Sequence, residues 1–258
     1  LAGERPGRPV LFEMAHNVSF ARPVMGDLWL DDSVPGGPQR NYINAFLWTG
    51  YDYAIAPTWP YGLSRGGRMP GRAKKEDTRS VSLNEGGVIH DWETFEQFEW
   101  PEPVPEEYER MGELAQWIPE GMQLVLRGQG QILETLVKLC GYETLCFLLI
   151  DQPDLVSALS ARLEALCLAH TELALQHAFF GAILFSDDWG FKTSTLISPE
   201  DLRKHVLPVH ARLVQAVHDA GRPAILHSCG KLEEVYGDII AIGYDGKHSY
   251  EDAISPVE

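Results

Sequence analysis

Positive charge is scarce in this sequence. The 258 residues include 21 lysines and arginines but 37 aspartates and glutamates, so the formal net charge is −16. The phosphate backbone of nucleic acids and anionic membrane surfaces repel so acidic a chain, and we expect neither as a partner. A small anionic ligand is not excluded, because a few arginines suffice for a local basic site.

Cysteine and long apolar runs are scarce as well. The four cysteines have no spacing typical of a disulfide framework, and Cys140, Cys146 and Cys167 fall in apolar, helical patterns. No apolar run is long enough to span a bilayer. We therefore predict a cytoplasmic protein with reduced thiols and no membrane association.

A glycine-rich dinucleotide fingerprint is missing after the predicted strands, which argues against a doubly wound nucleotide-binding fold. Instead, apolar strands such as 122–127 and 181–185 alternate with helices such as Ile132–Cys140 and Asp154–His177. Repeated strand–helix units predict a parallel sheet. Polar residues follow several of these strands, at the edge where a (β/α)8 barrel carries its chemistry. We predict an α/β protein with the fold of a (β/α)8 TIM barrel.

The pattern accounts for about six strand–helix units, whereas a closed barrel has about eight of each element. Leu1–Glu4 has the pattern of a helix end, and Ser255–Glu258 has that of a helix start. We expect residues 1–258 to form one barrel domain, truncated at both ends and lacking its last strand–helix units. We also predict a first strand at Arg8–Met14 and a hairpin at Ser80–Trp92, whose turn is rich in glycine.

The segment AILHSCG, residues 224–230, ends an apolar strand with a histidine and a cysteine. Alternate residues of a strand project to the same face, so His227 and Cys229 are expected to share one side. An imidazole nitrogen and a thiolate sulfur together suit Zn²⁺, although a catalytic zinc needs a third protein ligand. The alternative is a buried thiol beside a hydrogen-bonded histidine. Gly230 allows a tight turn or the close approach of a ligand.

Two adjacent carboxylates follow another buried strand, in the segment SDDWG. Side chains of neighbouring strand residues point to opposite faces, so at most one of Asp187 and Asp188 faces the barrel mouth. That carboxylate could act as a general base, orient a ligand or support a metal-bound histidine. The alternative is a solvated loop that caps a helix. Trp189 could form the wall of an apolar cavity.

Two further pairs of residues are weaker candidates for the mouth. Glu13 and His16 close the first predicted strand and could line the same mouth. Lys247 and His248 end the last predicted strand and could bind a carboxylate or a phosphate of a substrate. Ordinary loop polarity or a helix cap explains them equally well.

Three motifs together resemble the uroporphyrinogen decarboxylase (URO-D) superfamily: DDWG at 187–190, ISPEDLR at 197–203, and ILHSCG at 225–230 with GYD at 243–245. The resemblance implies a (β/α)8 barrel. It also implies one of two chemistries, the first being removal of acetate carboxyls from a tetrapyrrole without a cofactor. Those decarboxylases carry an arginine-rich N-terminal loop and an aspartate after the second strand. This sequence has FEMAHN at 12–17 and Pro-Thr-Trp at 57–59 there.

The second chemistry is that of the corrinoid-dependent methyltransferases, which the sequence resembles more. The resemblance implies Zn²⁺ held by His227 and Cys229, with a third cysteine ligand beyond Glu258 and therefore not found in this chain. A methylated corrinoid protein would donate the methyl group, and a small thiol or a folate would accept it. The residues expected to shape the site are Asp187, Asp188, Trp189, Glu13, His16 and His248. A uroporphyrinogen decarboxylase of tetrapyrrole biosynthesis and a non-catalytic tetrapyrrole- or corrinoid-binding module remain as alternatives.

Overall fold

The computed structural model describes residues 7, 11–15, 17–56, 87–250 and 254. Within these residues the α/β prediction is confirmed, and the centre is a five-stranded, wholly parallel sheet in the order β1-β2-β3-β4-β5. The strands are β1 (Tyr53–Ile55), β2 (Gln123–Gly128), β3 (Phe180–Ser186), β4 (Ala224–His227) and β5 (Gly246–His248). The ring of Phe12 lies 5.4 Å from both Tyr53 and His248, on the two edge strands, so the sheet is curled. This half-barrel is consistent with part of a TIM barrel.

Helices connect and cover the strands. They are α1 (Val18–Met25), α2 (Gly37–Trp48), α3 (Trp92–Glu96), α4 (Pro105–Met111), α5 (Ile132–Cys140), α6 (Tyr142–Asp151), α7 (Pro153–Leu175), α8 (Pro199–Asp201), α9 (Leu207–Asp219) and α10 (Tyr236–Ile242). 3₁₀ turns accompany them at Gly26–Leu28, Gly112–Trp117 and Glu233–Val235. A π-helical turn, Leu202–Val206, joins α8 to α9.

The long helix α7 shows how the apolar pattern sets the fold. Its buried residues Leu155, Leu159 and Leu163 recur at helical spacing and face the sheet side of the molecule. Pro153 stands in the first turn, where its missing N–H has no partner to lose. The strands beneath are apolar on both faces, as expected for a parallel sheet covered by helices.

The register of the sheet brings the ends of three strands together. Ser186 on β3 pairs with His227 on β4, and His227 pairs with His248 on β5. Paired residues of parallel strands project to the same face. His227 and His248 therefore lie side by side at the carboxyl edge of the sheet, where barrel enzymes have their active sites.

Two predicted strands are wrong where the structure describes them. Leu11–Met14 is not a strand, because both backbone polar groups of Glu13 bond to a side chain and not to a neighbouring strand. The Tyr53 hydroxyl accepts a hydrogen bond from the Glu13 N–H (2.7 Å) and donates one to the Glu13 C=O (3.0 Å). Val88–Trp92 is not a hairpin strand, because the N–H groups of Val88 and Ile89 donate to the Leu139 carbonyl near the end of α5. Residues 8–10, 57–59, 80–86 and 255–258, and His16, lie outside the described residues.

No single helix among the described residues is long and apolar enough to cross a membrane. The pair α6 and α7 passes that test only together, and it is bent by 118° at the break between the two helices.

A buried histidine on α7 makes stability depend on pH. The Tyr108 hydroxyl lies 2.6 Å from His170 Nδ1, and burial lowers the pKa of His170 from 6.5 to about 4. Between those two pH values the unfolded chain binds a proton that the folded protein does not. We therefore expect this site to remove about 3 kcal/mol of stability as the pH falls from 6.5 to 4.

The matched variant for this test is His170→Asn, whose amide oxygen can accept the Tyr108 hydrogen bond but does not titrate. Urea unfolding of both proteins at neutral pH and at about pH 4 measures the difference. The free energy of unfolding of the variant should fall less on acidification. Equal losses in the two proteins would show that His170 does not contribute to acid lability.

Candidate metal centre

Three potential metal ligands converge at the carboxyl ends of β3 and β4. The donor atoms of Asp188, His227 and Cys229 all lie within 4.8 Å of one another. Cys229 Sγ is 3.4 Å from His227 Nε2, and Asp188 Oδ1 is 3.7 Å from the same nitrogen. All three residues are half-buried, so each is partly exposed to solvent.

The spacing of these donors fits a tetrahedral zinc ion. With a Zn–S distance of about 2.3 Å and a Zn–N distance of about 2.0 Å, tetrahedral ligands stand about 3.5 Å apart. The observed sulfur–nitrogen distance of 3.4 Å is close to that value, and the oxygen–nitrogen distance of 3.7 Å is a few tenths of an ångström longer than the roughly 3.3 Å of two ligands at about 2.0 Å. Nitrogen, sulfur and carboxylate oxygen are all ligands that zinc accepts. The cluster could therefore hold zinc through three protein ligands and leave a fourth position open.

Hydrogen bonds tie the two ligand-bearing segments to each other. The N–H of Asp187 donates to the His227 carbonyl (2.9 Å), and the N–H of Trp189 donates to Ser228 Oγ (3.0 Å). The N–H of Cys229 donates to Asp188 Oδ1 (2.8 Å). This last bond orients the carboxylate beside the cysteine, so backbone hydrogen bonds help to arrange the cluster.

Two glycines bring the segments into direct backbone contact. A Cβ on Gly230 would lie 2.3 Å from the carbonyl carbon of Gly190, and one on Gly190 would lie 2.6 Å from the Cys229 carbonyl oxygen. Gly230 also has φ +82°, in the left-handed region. Of the two roles predicted for Gly230, the structure shows a turn closed by backbone approach.

The two aspartates have separate environments. Asp187 is fully buried, and its carboxylate accepts from the N–H groups of Leu133 (3.0 Å) and Glu134 (3.0 Å) in the first turn of α5. It also accepts from the indole N–H of Trp189 (2.7 Å) and contacts His210 Nε2 (3.0 Å). Asp187 thus caps a helix from another strand–helix unit, and only Asp188 faces the mouth.

The Asp187 network extends through His210 to Tyr244. Because Nε2 of His210 donates to the carboxylate, its Nδ1 carries a lone pair, which accepts from the Tyr244 hydroxyl at 2.6 Å. Every polar group in this buried chain has a partner. His210 is not among the residues predicted from the sequence. The signal that could have found it is a histidine on the apolar face of α9, between Val209 and Leu213.

The structure places the other predicted mouth residues in different environments. Trp189 is fully buried with its N–H bonded to Asp187, so it lies in the core and not at the mouth surface. His248 lies in the cluster, with Nδ1 2.7 Å from Nδ1 of His227. Glu13 is exposed, and its carboxylate acts on the pKa of His248 from nearby.

Both histidines at the mouth are held towards the neutral form. Burial lowers the pKa of His227, with the charge of Asp188 opposing it and the cationic Arg127 and Lys247 adding to it. Burial also lowers the pKa of His248, against the effect of Glu13. Neutral imidazole is the form that binds metal ions.

A protein-family model described as Uroporphyrinogen decarboxylase (URO-D) matches residues 123–256, just over half of the chain. The match begins at β2 and includes Asp188, His227, Cys229 and His248. No curated protein matches the chain.

Proposed function

The chain belongs to the uroporphyrinogen decarboxylase (URO-D) family, and from that premise we propose that it is a zinc-dependent methyltransferase. Members of this family are usually enzymes, either decarboxylases or methyltransferases. In the proposed reaction a methylated corrinoid protein donates the methyl group, and a small thiol or a folate accepts it. The observation that carries the proposal is the Asp188, His227 and Cys229 cluster at the carboxyl edge of the sheet.

The proposed zinc ligands differ from those that the resemblance implied. Asp188 offers a carboxylate oxygen where a third ligand was expected from a cysteine beyond Glu258. A carboxylate, an imidazole and a thiolate make a ligand set that zinc accepts. A zinc ion bound there would lower the pKa of a thiol substrate and so favour its nucleophilic form.

The chain's own residues would orient this chemistry. Asp188 is fixed by the N–H of Cys229, and His227 is half-buried in neutral form with Nε2 towards the sulfur. Glu13, exposed on the nearby N-terminal segment, is proposed to contact the substrate at the rim. Asp187 supports the site from the core and has no proposed contact with substrate.

Decarboxylation of a tetrapyrrole is the other chemistry of the family, and family membership fits it equally. It needs no metal, and it needs positive charge for a substrate bearing many carboxylates. The soft ligand set at the mouth favours methyl transfer, because decarboxylation needs no thiol beside an imidazole.

Zinc binding gives the first test. Competition with a chromophoric chelator should show one zinc ion per chain, and Cys229→Ser should weaken zinc binding by at least about 100-fold, since a thiolate ligand is lost. The matched control is Cys146→Ser, because Cys146 is half-buried on α6. Equal zinc affinity in wild type and Cys229→Ser would contradict the proposal.

Turnover gives the second arm of the test. The zinc-loaded protein should demethylate methylcobalamin in the presence of a simple thiol or of tetrahydrofolate, and the methylated product identifies the acceptor class. Release of carbon dioxide from uroporphyrinogen by the zinc-free protein would establish the decarboxylase instead. Corrinoid or tetrapyrrole binding without any turnover would establish a binding module and overturn the proposal.

A further inference from the structure

We infer that His248 is a positioning residue that fixes the tautomer of His227 and so aims its Nε2 lone pair at Cys229 and Asp188. The inference rests on the proposed zinc site and adds a residue to it. The two Nδ1 atoms are 2.7 Å apart, which is a short hydrogen bond between two imidazole rings. The rings are 5.0 Å apart at their centroids and inclined by 31°.

Only one proton fits between the two Nδ1 atoms, so one ring donates and the other accepts. The opposite nitrogen of His227, Nε2, lies 3.4 Å from Cys229 Sγ and 3.7 Å from Asp188 Oδ1. A metal ion among these three donors needs the lone pair of Nε2. The proton of neutral His227 must then sit on Nδ1, and His248 Nδ1 must be its acceptor.

The surroundings of His248 hold its ring in place for this role. The His248 carbonyl accepts a hydrogen bond from the N–H of Ser228 (2.8 Å), and β5 pairs His248 directly with His227. Phe12 packs on the His248 ring, with centroids 5.4 Å apart, and Phe12 in turn stacks on Tyr53. The position of the acceptor is therefore set by the sheet on one side and by an aromatic contact on the other.

This role differs from the substrate contact predicted for His248 from the sequence. Histidines that bind metals usually donate their second ring N–H to a carboxylate, a carbonyl or water, and loss of that partner typically weakens metal binding by about 10–100-fold. Here a second imidazole takes the place of that acceptor. The Nδ1 atom of His248 is engaged with His227, so this nitrogen serves the ligand.

Two substitutions separate hydrogen bonding from packing. His248→Leu removes the acceptor and keeps an apolar side chain against Phe12, whereas His248→Asn places an amide oxygen near the position of Nδ1. His218→Leu is the matched control, because His218 bonds Asp245 beside the start of β4, at the opposite end of that strand. Zinc affinity by chelator competition and the ring ¹⁵N shifts of His227 are measured for each protein.

We expect His248→Leu to bind zinc about 10–100-fold more weakly, and His248→Asn to regain most of the affinity. In the metal-free wild type, the ¹⁵N shifts should show His227 protonated at Nδ1 alone, and metal-free His248→Leu should lose that single tautomer. His218→Leu should behave as wild type. Unchanged affinity in His248→Leu, or equal losses in His248→Leu and His248→Asn, would overturn the inference alone. Failure of the wild type to bind zinc would overturn the proposed function and this role together.

Discussion

Asp187→Asn will lower the free energy of unfolding by about 3–5 kcal/mol, because about two of the buried donors around this carboxylate lose their acceptor, at about 1–3 kcal/mol each. The Asp187 carboxylate accepts from two backbone N–H groups of α5, from the Trp189 indole and from His210. An asparagine has one acceptor oxygen, and its NH₂ group would face donors at short range. Buried donors without acceptors are costly, so the variant loses much more than one hydrogen bond.

The neighbouring residue provides the control. Asp188→Asn should change the free energy of unfolding by less than about 1 kcal/mol, because its side chain is 40% exposed and its amide oxygen can still accept from the N–H of Cys229. The Asp188→Asn variant should instead bind zinc more weakly. Urea unfolding of the two variants decides the point, and similar stability losses would contradict the separate environments of the two carboxylates.

Gly230→Ala is expected to cost about 3 kcal/mol or more and to separate the ligands of the metal centre. The left-handed conformation of a residue with a side chain costs about 1–2 kcal/mol. The new methyl group would also lie 2.3 Å from the carbonyl carbon of Gly190, which is backbone and cannot rotate away. The Cys229 segment must then move from the Asp188 segment, so zinc affinity should fall together with stability.

Substitutions at two other glycines separate the cost of backbone strain from the cost of the steric clash. Gly221 has φ +69°, but a Cβ added there would meet nothing within 4 Å, so Gly221→Ala measures the conformational cost alone. Gly237 lies on α10 with open space around it, and Gly237→Ala should be neutral or stabilising by up to about 1 kcal/mol. If Gly230→Ala loses no more stability than Gly221→Ala and still binds zinc normally, the backbone contact is not essential.

Much of the fold follows from local pattern. Apolar runs predict β2, β3 and β4, because both faces of a parallel strand are covered. The failure at Val88–Trp92 has a tertiary cause: the end of α5 supplies a carbonyl to two N–H groups that the pattern assigns to a hairpin. No property of residues 88–92 alone indicates that partner.

The candidate site, too, can be predicted only in part from the sequence. Strand alternation correctly predicts that the two aspartates diverge, but it does not say which of them faces the mouth. That choice depends on the start of α5, 53 and 54 residues earlier in the chain, which takes the carboxylate of Asp187. The convergence of Asp188 on Cys229 depends on the pairing of Ser186 with His227, a register that the sequence does not display.

The π-helical turn at Leu202–Val206 sets the rotational phase of α9. An α-helix advances about 100° per residue, and a π turn accommodates one extra residue without that rotation. His205 in this turn contacts Ser157 on α7, and His210 further along reaches Asp187 in the interior. Loss of one residue from this turn would therefore regularise the helix and leave His210 facing the carboxylate, whereas loss of one residue where the helix is already regular would rotate the segments on either side by about 100° relative to each other. The π turn can thus absorb a change in chain length that the regular part of the helix cannot.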